Sequence, residues 1–300
     1  MNSVCTLVKT RETWRNAARG LALVLLAATG PAHAQAQAHA DSANQPGLLR
    51  DINAVRQQGC EGQPGKAAPL RENAALSAAA TRLSSGDRLD EALKAAGYRA
   101  VSGAQIILRG AGATLLTRAS LGTSCSVLTQ ADLTEAGFHQ HAAQTWIVVA
   151  APFLPPGAAQ AADVESRVLA LVNEARAKPR RCGTESFAAT RPVHLSPRLQ
   201  AIAATHAADM ARHNYFDHAG RDGNHVEERA SSGGYRWRHI GENIAAGHTQ
   251  AEAAMQDWLG SPEHCANVMS PDYTEMGSAF AVNNSSSAGI YWVKVFGTAR

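Results

Sequence analysis

The string C-x6-D-x-T-E-x-G occurs twice, at Cys125, Asp132, Thr134, Glu135 and Gly137, and again at Cys265, Asp272, Thr274, Glu275 and Gly277. Five identities at fixed spacing tie the two halves of the chain to one plan. The correspondence extends upstream. Gln105 follows Tyr98 by seven residues as Glu242 follows Tyr235, and Asn53-x-x-Arg56 with Cys60 mirrors Asn173-x-x-Arg176 with Cys182. A tandem duplication of this kind restricts the fold to one architecture built twice. Only the second copy keeps a set of ionisable residues. Gln105 stands where Glu242 does, Ser124 where His264 does, Gly86-Asp87 where His218 does and Arg118 where Trp258 does.

The 300 residues, 45% of them hydrophobic, suffice for two cores in units of roughly 110 to 140 residues. Aromatic residues make up 5%, so those cores are largely aliphatic. Residues 1–34 carry Lys9, Arg11, Arg15 and Arg19, then the apolar run 21–29, then Ala32-His33-Ala34. That order predicts a secretory signal peptide, with an apolar run too short for a permanent membrane anchor. Its four cations and Glu12 account for the whole formal charge of +3. The processed chain is near neutral, so the pI of 8.7 is no argument for nucleic acid. Export also predicts an oxidising compartment, either periplasmic or extracellular.

Cys5 departs with the signal and four cysteines remain. The duplication gives each unit one early and one late cysteine, which favours Cys60–Cys125 and Cys182–Cys265 among the three connectivities. Each bond would close a loop long enough to contribute about 4 kcal/mol in the chain-entropy account. A zinc or redox thiol site is the competing reading, and it lacks a C-x-x-C.

Residues 35–46 read as a mobile leader, 47–151 as the degenerate first unit, 152–162 as a Pro- and Ala-rich linker and 163–300 as the second unit. In the second unit, helical spacing predicts a helix behind Asp163 as N-cap. A second starts at Ser196-Pro197 with Leu199, Ile202, Ala203, His206 and Met210 on its inner face. A third opens on a capping box, Thr249-x-x-Glu252, with the stripe Ala251, Ala254, Met255, Trp258 and Leu259. Strands are predicted over 276–282 and 289–296. Helices with one apolar stripe each need a layer to cover, which predicts an α+β sandwich.

Five ordered motifs carry a resemblance: Phe216-Asp217-His218, Gly241-Glu242-Asn243-Ile244, Trp258-x-x-Ser261-Pro262-x-His264, Thr274-Glu275-Met276-Gly277 and Tyr291-Trp292-Val293-Lys294-Val295-Phe296-Gly297. Residues 163–300 resemble the bacterial branch of the CAP superfamily of cysteine-rich secretory proteins, antigen 5 and pathogenesis-related 1 proteins, also called SCP domains. The first unit resembles that fold only through its duplication. The resemblance implies tandem three-layer α-β-α sandwiches, the N-terminal one divergent. It also implies a cleft lined by two histidines and two acids. His218, Glu242 and His264 match three of these. In plant and animal members the fourth acid follows the third-helix tryptophan by three residues, where this chain has Ser261, leaving Glu275 or Glu263 as substitutes.

Two neutral imidazoles can hold a divalent metal such as zinc at His218 and His264, with a carboxylate as ligand, orienter or proton acceptor. Two protein nitrogens alone make an open, exchangeable site. A structural hydrogen-bond network and an acid–base site at His218, Glu242 and His264 are the other readings of the cluster. His206, on an apolar helix face, reads as a satisfied core histidine, and His225, His239 and His248 read as solvated loop residues. Glu135 and Glu275 recur in both copies, so an acid at that position reads as a structural cap rather than a catalytic group. No G-x-S-x-G, glycine-rich phosphate loop or H-E-x-x-H is present. CAP members bind lipids, sterols, metals or proteins. The expected function is therefore a secreted, non-catalytic binding module for a metal or a small apolar ligand, with an extracytoplasmic lipid, protein or cell-envelope partner. The alternative is a metal-dependent hydrolase of a peptide, lipid or cell-wall substrate.

Overall fold

Residues 4–8, 45–60, 65–109 and 124–300 are described by the structure, a computed structural model. They divide into two units at Phe153 and Leu154. Arg118, most of the signal segment and residues 35–44 of the leader lie outside the described residues.

The N-terminal unit contains β1 (Val4–Val8), α1 (Gln45–Gln58), β2 (Arg71–Glu72), α2 (Ala74–Ser84), α3 (Leu89–Ala95), β3 (Ala100–Arg109), α4 (Cys125–Leu128), β4 (Glu135–His141) and β5 (Gln144–Pro152). Its sheet runs β1-β3-β5-β4-β2. Period-two alternation splits the central strand β5 between two cores. Ile147 and Val149 join Ile52 and Val55 of α1, while Trp146, Val148 and Ala150 join Leu76, Ala79 and Ala80 of α2. Two details differ from the sequence reading. Residues 45 and 46 belong to α1 rather than to a leader, and Val4–Val8, inside the segment read as a signal, pairs antiparallel with Gly103–Ile107 of β3. Removing that segment would return β3 to the sheet edge.

The C-terminal unit contains α5 (Ala161–Arg176), β6 (Arg180–Cys182), β7 (Glu185–Phe187), β8 (His194–Leu195), α6 (Pro197–His213), α7 (Val226–Ser232), β9 (Trp237–Ala246), α8 (Ala251–Gly260), α9 (Pro262–Met269), β10 (Glu275–Val282) and β11 (Ile290–Ala299). The main sheet has the order β8-β10-β11-β9. On one face Leu199, Ile202, Ala203 and Met210 of α6 pack on Ile244, Tyr291, Val293 and Val295. The opposite face, bearing Trp292, Lys294 and Phe296, meets the layer of α5, α8 and α9, whose Trp258 donates its indole N–H to Ile244 O at 2.9 Å. The result is an α-β-α sandwich of three layers.

Helix starts follow local chemistry with two corrections. Ser196 and Pro197 open α6 as the sequence predicts. Asp163 is not a cap. Helix α5 begins three residues earlier, at Ala161 with Gln160 as N-cap, and Asp163 sits in the first turn, where a carboxylate complements the helix dipole. Thr249 does not cap α8 either. Gln250 is the N-cap, and Glu252 is drawn instead to Arg167 Nε at 2.7 Å.

The two units share specific interactions. Arg176 is fully buried and donates to the carbonyls of Arg191, Val268, Ser270 and Tyr273, while Arg56 is fully buried and donates to those of Ala68, Leu128, Gln130 and Leu133. Asn173 exchanges two hydrogen bonds with Val193, and Asn53 does so with Leu70. Tyr235 donates to Glu275 at 2.5 Å and Tyr98 to Glu135 at 2.8 Å. Cys182–Cys265 and Cys60–Cys125 are disulfides. A Cβ on Gly277 would lie 2.0 Å from Gln200 N, and one on Gly137 2.1 Å from Ser77 N, so both glycines admit a helix backbone to close approach.

Lys294 interrupts the apolar α8 layer. It is fully buried, with Nζ 3.7 Å from Met255 Sδ, 4.0 Å from the Trp258 ring centroid and 5.1 Å from that of Phe296. Among the described residues no carboxylate lies within ion-pair distance of it. A desolvated cation–π contact is worth about 2 kcal/mol, whereas taking an unpaired ammonium out of water costs several kcal/mol. Desolvation therefore wins, holding the amine's pKa well below the ordinary lysine value.

Candidate functional site

The cleft is assembled from the loop after α6, the start of α7, the edge strand β9 and the first turn of α9. Helix α6 stops at His213 because Asn214 adopts a left-handed φ of 53° and caps it. The Asn214 Oδ1 accepts from Ser287 N and from the Tyr291 hydroxyl. Inside α6, buried His206 donates from Nε2 to the Asp217 carbonyl at 2.9 Å. That bond fixes the turn delivering His218, and it makes His206 the satisfied core histidine that its helix face implies. The last turn of α6 bears His213, whose Nδ1 pairs with Asp209 at 2.9 Å.

Glu242 lies at the centre, its side chain 2% exposed. Its register partner on β11 is Val295, so it shares the α6 face of the sheet. Oε1 accepts from His218 Nδ1 at 2.8 Å, and Oε2 accepts from Arg229 Nη2 at 2.6 Å. His206 Nε2 stands 4.0 Å from Oε1. Burial pushes the His206 imidazole towards its neutral form, so that approach is no ion pair. For Glu242 burial pushes the carboxyl up, but the His218 hydrogen bond and the Arg229 charge outweigh it and hold the acid below the usual range.

Arg229 was not legible as a site residue. Its Nη1 also donates to the carbonyls of His218 at 2.9 Å and Asn224 at 2.6 Å. The available signal was chemical: a buried glutamate beside a sheet demands a cation.

His264 enters from α9, anchored by Asn243 Nδ2 donating to its carbonyl at 2.9 Å, with Asn267 in turn bonded to Asn243. The His218 and His264 rings face each other with centroids 6.3 Å apart and a 50° interplanar angle. Burial lowers the His264 pKa, and His218 adds to that, while Asp257 and Glu263 oppose it. The imidazole is thus biased towards its neutral, ligand-accepting form.

The structure brings His218, Glu242 and His264 together and leaves Glu275 apart, bonded to Tyr235. Glu263 sits in the first turn of α9, with Ser261 Oγ donating to it at 3.3 Å. Asp257 is ion-paired to His248 Nε2 at 3.4 Å. His225 is an exposed loop residue immediately ahead of α7 and His248 lies in a loop, as the sequence suggests, whereas His239 lies on β9. No group of three or more His, Cys, Asp or Glu side chains among the described residues is arranged to hold a metal ion. Each Glu242 oxygen already accepts a hydrogen bond, Oε1 from His218 and Oε2 from Arg229.

Residues 169–296 match the profile of the cysteine-rich secretory protein family, CAP. The C-terminal unit is a CAP domain. The family's functions are diverse and poorly defined. The chain is 26% identical over 132 residues to the uncharacterized protein YkwD of Bacillus subtilis, spanning 44% of this chain and 46% of that one. It is 33% identical over 76 residues to the uncharacterized membrane protein YlbC of the same organism, 25% of this chain and 22% of that one. The chain thus spans less than half the length of these curated relatives. An extracellular SCP-domain protein of Bacillus anthracis aligns with a TM-score of 0.39 and 19% identity, covering 54% of this chain and 56% of its own. Among the described residues of the CAP domain and the N-terminal unit, no helix is long and apolar enough to cross a membrane.

Proposed function

We propose that this is an exported two-unit protein whose CAP domain is a binding module rather than an enzyme, taking a divalent transition metal weakly between His218 and His264. The burial of Glu242 and its pairing with His218 and Arg229 carry the reading. A general base needs an oxygen or nitrogen directed at the substrate proton, and both Glu242 oxygens are already committed to His218 and Arg229. With Nδ1 of His218 donating to that carboxylate, Nε2 is its nitrogen left to accept a ligand. His264, held neutral by burial, offers the second. Three or four protein ligands mark a resident zinc, so a two-nitrogen site favours exchange. The hydrolase alternative would need Glu242 released from Arg229.

The N-terminal unit is, on this reading, a degenerate copy of the CAP domain. The matched arginine, asparagine, tyrosine and glycine interactions support it. So does the common register, in which Gly137, Val148 and Gln105 align across the strands as Gly277, Val295 and Glu242 do. Export is supported by the order of charge, apolar run and small residues in 1–34 and by one disulfide in each unit.

Calorimetry with zinc at pH 7.5 and pH 6 tests the metal site. Binding weakens at the lower pH, because protons compete for imidazoles with an ordinary pKa of about 6.5. His218→Ala and His264→Ala each abolish it. Unchanged zinc affinity in the double variant refutes the site, and chelator-sensitive hydrolysis of a peptide, ester or glycan substrate refutes the non-catalytic reading.

A further inference from the structure

Lys294 has no role in the cleft chemistry above, yet its surroundings connect it to the cleft wall. Its register neighbours are Ser278 on β10 and Asn243 on β9, whose side chains share its face of the sheet. Asn243 holds the His264 carbonyl at 2.9 Å. The amine itself lies under Trp258 and Met255 of α8, and α8 leads through Ser261 directly into α9, which bears His264.

Nothing in this layer offers Lys294 a counterion. Ser278 Oγ is buried and has no hydrogen-bond partner among the described residues. The buried acid on the α5 side, Glu165, accepts from Gln200 through Oε2 and leaves Oε1 without a hydrogen-bond partner among the described residues, and burial pushes its carboxyl towards its neutral form. On α8 Asp257 is largely solvent-exposed and paired with His248. On α9 His264 is itself cationic when protonated, and so adds repulsion rather than a partner. A proton on Lys294 is therefore at home only when α8 and α9 have moved away and water reaches the amine.

We propose that Lys294 is a proton-sensitive latch on the two helices that form the His264 wall of the cleft. Uncharged, the amine packs under Trp258 and the helices close on the sheet. Protonated, it favours their lifted state, so that acidification loosens the cleft independently of what the cleft binds. The sign follows from linkage: the open state binds one proton more than the closed state at any pH between the closed-state pKa of Lys294 and its ordinary value of about 10.4. Falling pH through that window therefore shifts the balance towards opening.

The disulfide of α9 reports the opening. Cys182 and Cys265 are both buried, so a water-soluble phosphine reduces them only when α9 leaves the sheet, and Cys60–Cys125 in the other unit is an internal reference. The relative reduction rate of Cys182–Cys265 is followed in the full chain from pH 9 to pH 6 for the parent, Lys294→Met and Lys294→Gln. The expected result is a parent rate that rises as pH falls, by up to about tenfold per pH unit, with flat profiles in the variants. A flat parent profile overturns the proposal whatever the variants do. A rise that persists undiminished in either folded variant overturns it equally, because the proton then binds elsewhere.

Discussion

Arg229 Nη2 lies 2.6 Å from Glu242 Oε2, while Nη1 of the same guanidinium holds the His218 backbone carbonyl at 2.9 Å. One cation thus sets both the charge of the acid and the place of the imidazole that leans on it. Removing it by Arg229→Met leaves a buried, uncompensated carboxylate. The CAP domain is expected to lose about 3–5 kcal/mol, read as a lower urea midpoint. Arg229→Lys recovers only part of this, since one ammonium cannot span three acceptors.

Glu242 gives the acid limb of stability a defined sign. Its folded-state pKa is depressed, so its contribution is fully present above the unfolded value of about 4.3 and is lost as pH falls through the folded value. Urea midpoints taken from pH 7 down to pH 3 should decline below about pH 4.3. In Glu242→Gln the decline should be shallower and the starting midpoint lower. A parallel decline in the two proteins would mean other carboxylates govern acid unfolding.

Arg176 and Arg56 each satisfy four backbone carbonyls. Substitution by methionine keeps the apolar stem but orphans those acceptors, at about 1–3 kcal/mol for each that stays buried. Arg176→Met should lower the midpoint of the CAP domain alone, and Arg56→Met that of the N-terminal unit alone. Differential scanning calorimetry of the full chain separates the two transitions. Effects of the same size in both would support the common descent of the units, and a neutral Arg56→Met would count against it.

Gly277→Ala places a methyl within 2.0 Å of Gln200 N. The neighbour is helix backbone, which cannot rotate away, so the expected loss is about 3 kcal/mol. Gly137→Ala should behave alike in the N-terminal unit against Ser77 N. Thermal midpoints unchanged by both substitutions would show that the helices slide freely over these strands.

Some of this was open to reading in the chain and some was not. The α6 stripe was legible because five apolar or histidine positions at helical spacing leave one face to bury, and Leu199, Ile202, Ala203, His206 and Met210 are all buried. The cysteine pairing was legible from the matched spacing of Cys125 and Cys265 in the two halves of the chain. Helix starts were less so. Thr249 and Glu252 have the capping spacing, yet a competing charge on α5, Arg167, takes the carboxylate. Arg229 escaped because its partners are a loop carbonyl, a turn carbonyl and a strand carboxylate brought together only by the folded turn 217–225. Lys294 was readable in principle. Strict alternation from Trp292 to Phe296 places it on their buried face, and its charge is what argued for the surface.

The order of the disulfides along the chain carries a consequence for biogenesis. Cys60 pairs with Cys125, and Cys182 with Cys265, so each partner is the next cysteine in sequence. A thiol oxidase meeting the polypeptide as it emerges N-terminus first can join cysteines in order of appearance and arrive at the native set without reshuffling. Cys5 is the exception, because it precedes Cys60 and would capture it first. On the proposed export reading, loss of residues 1–34 takes that thiol out of the competition. A chain that keeps them would present a fifth thiol and displace the pairing of every cysteine downstream.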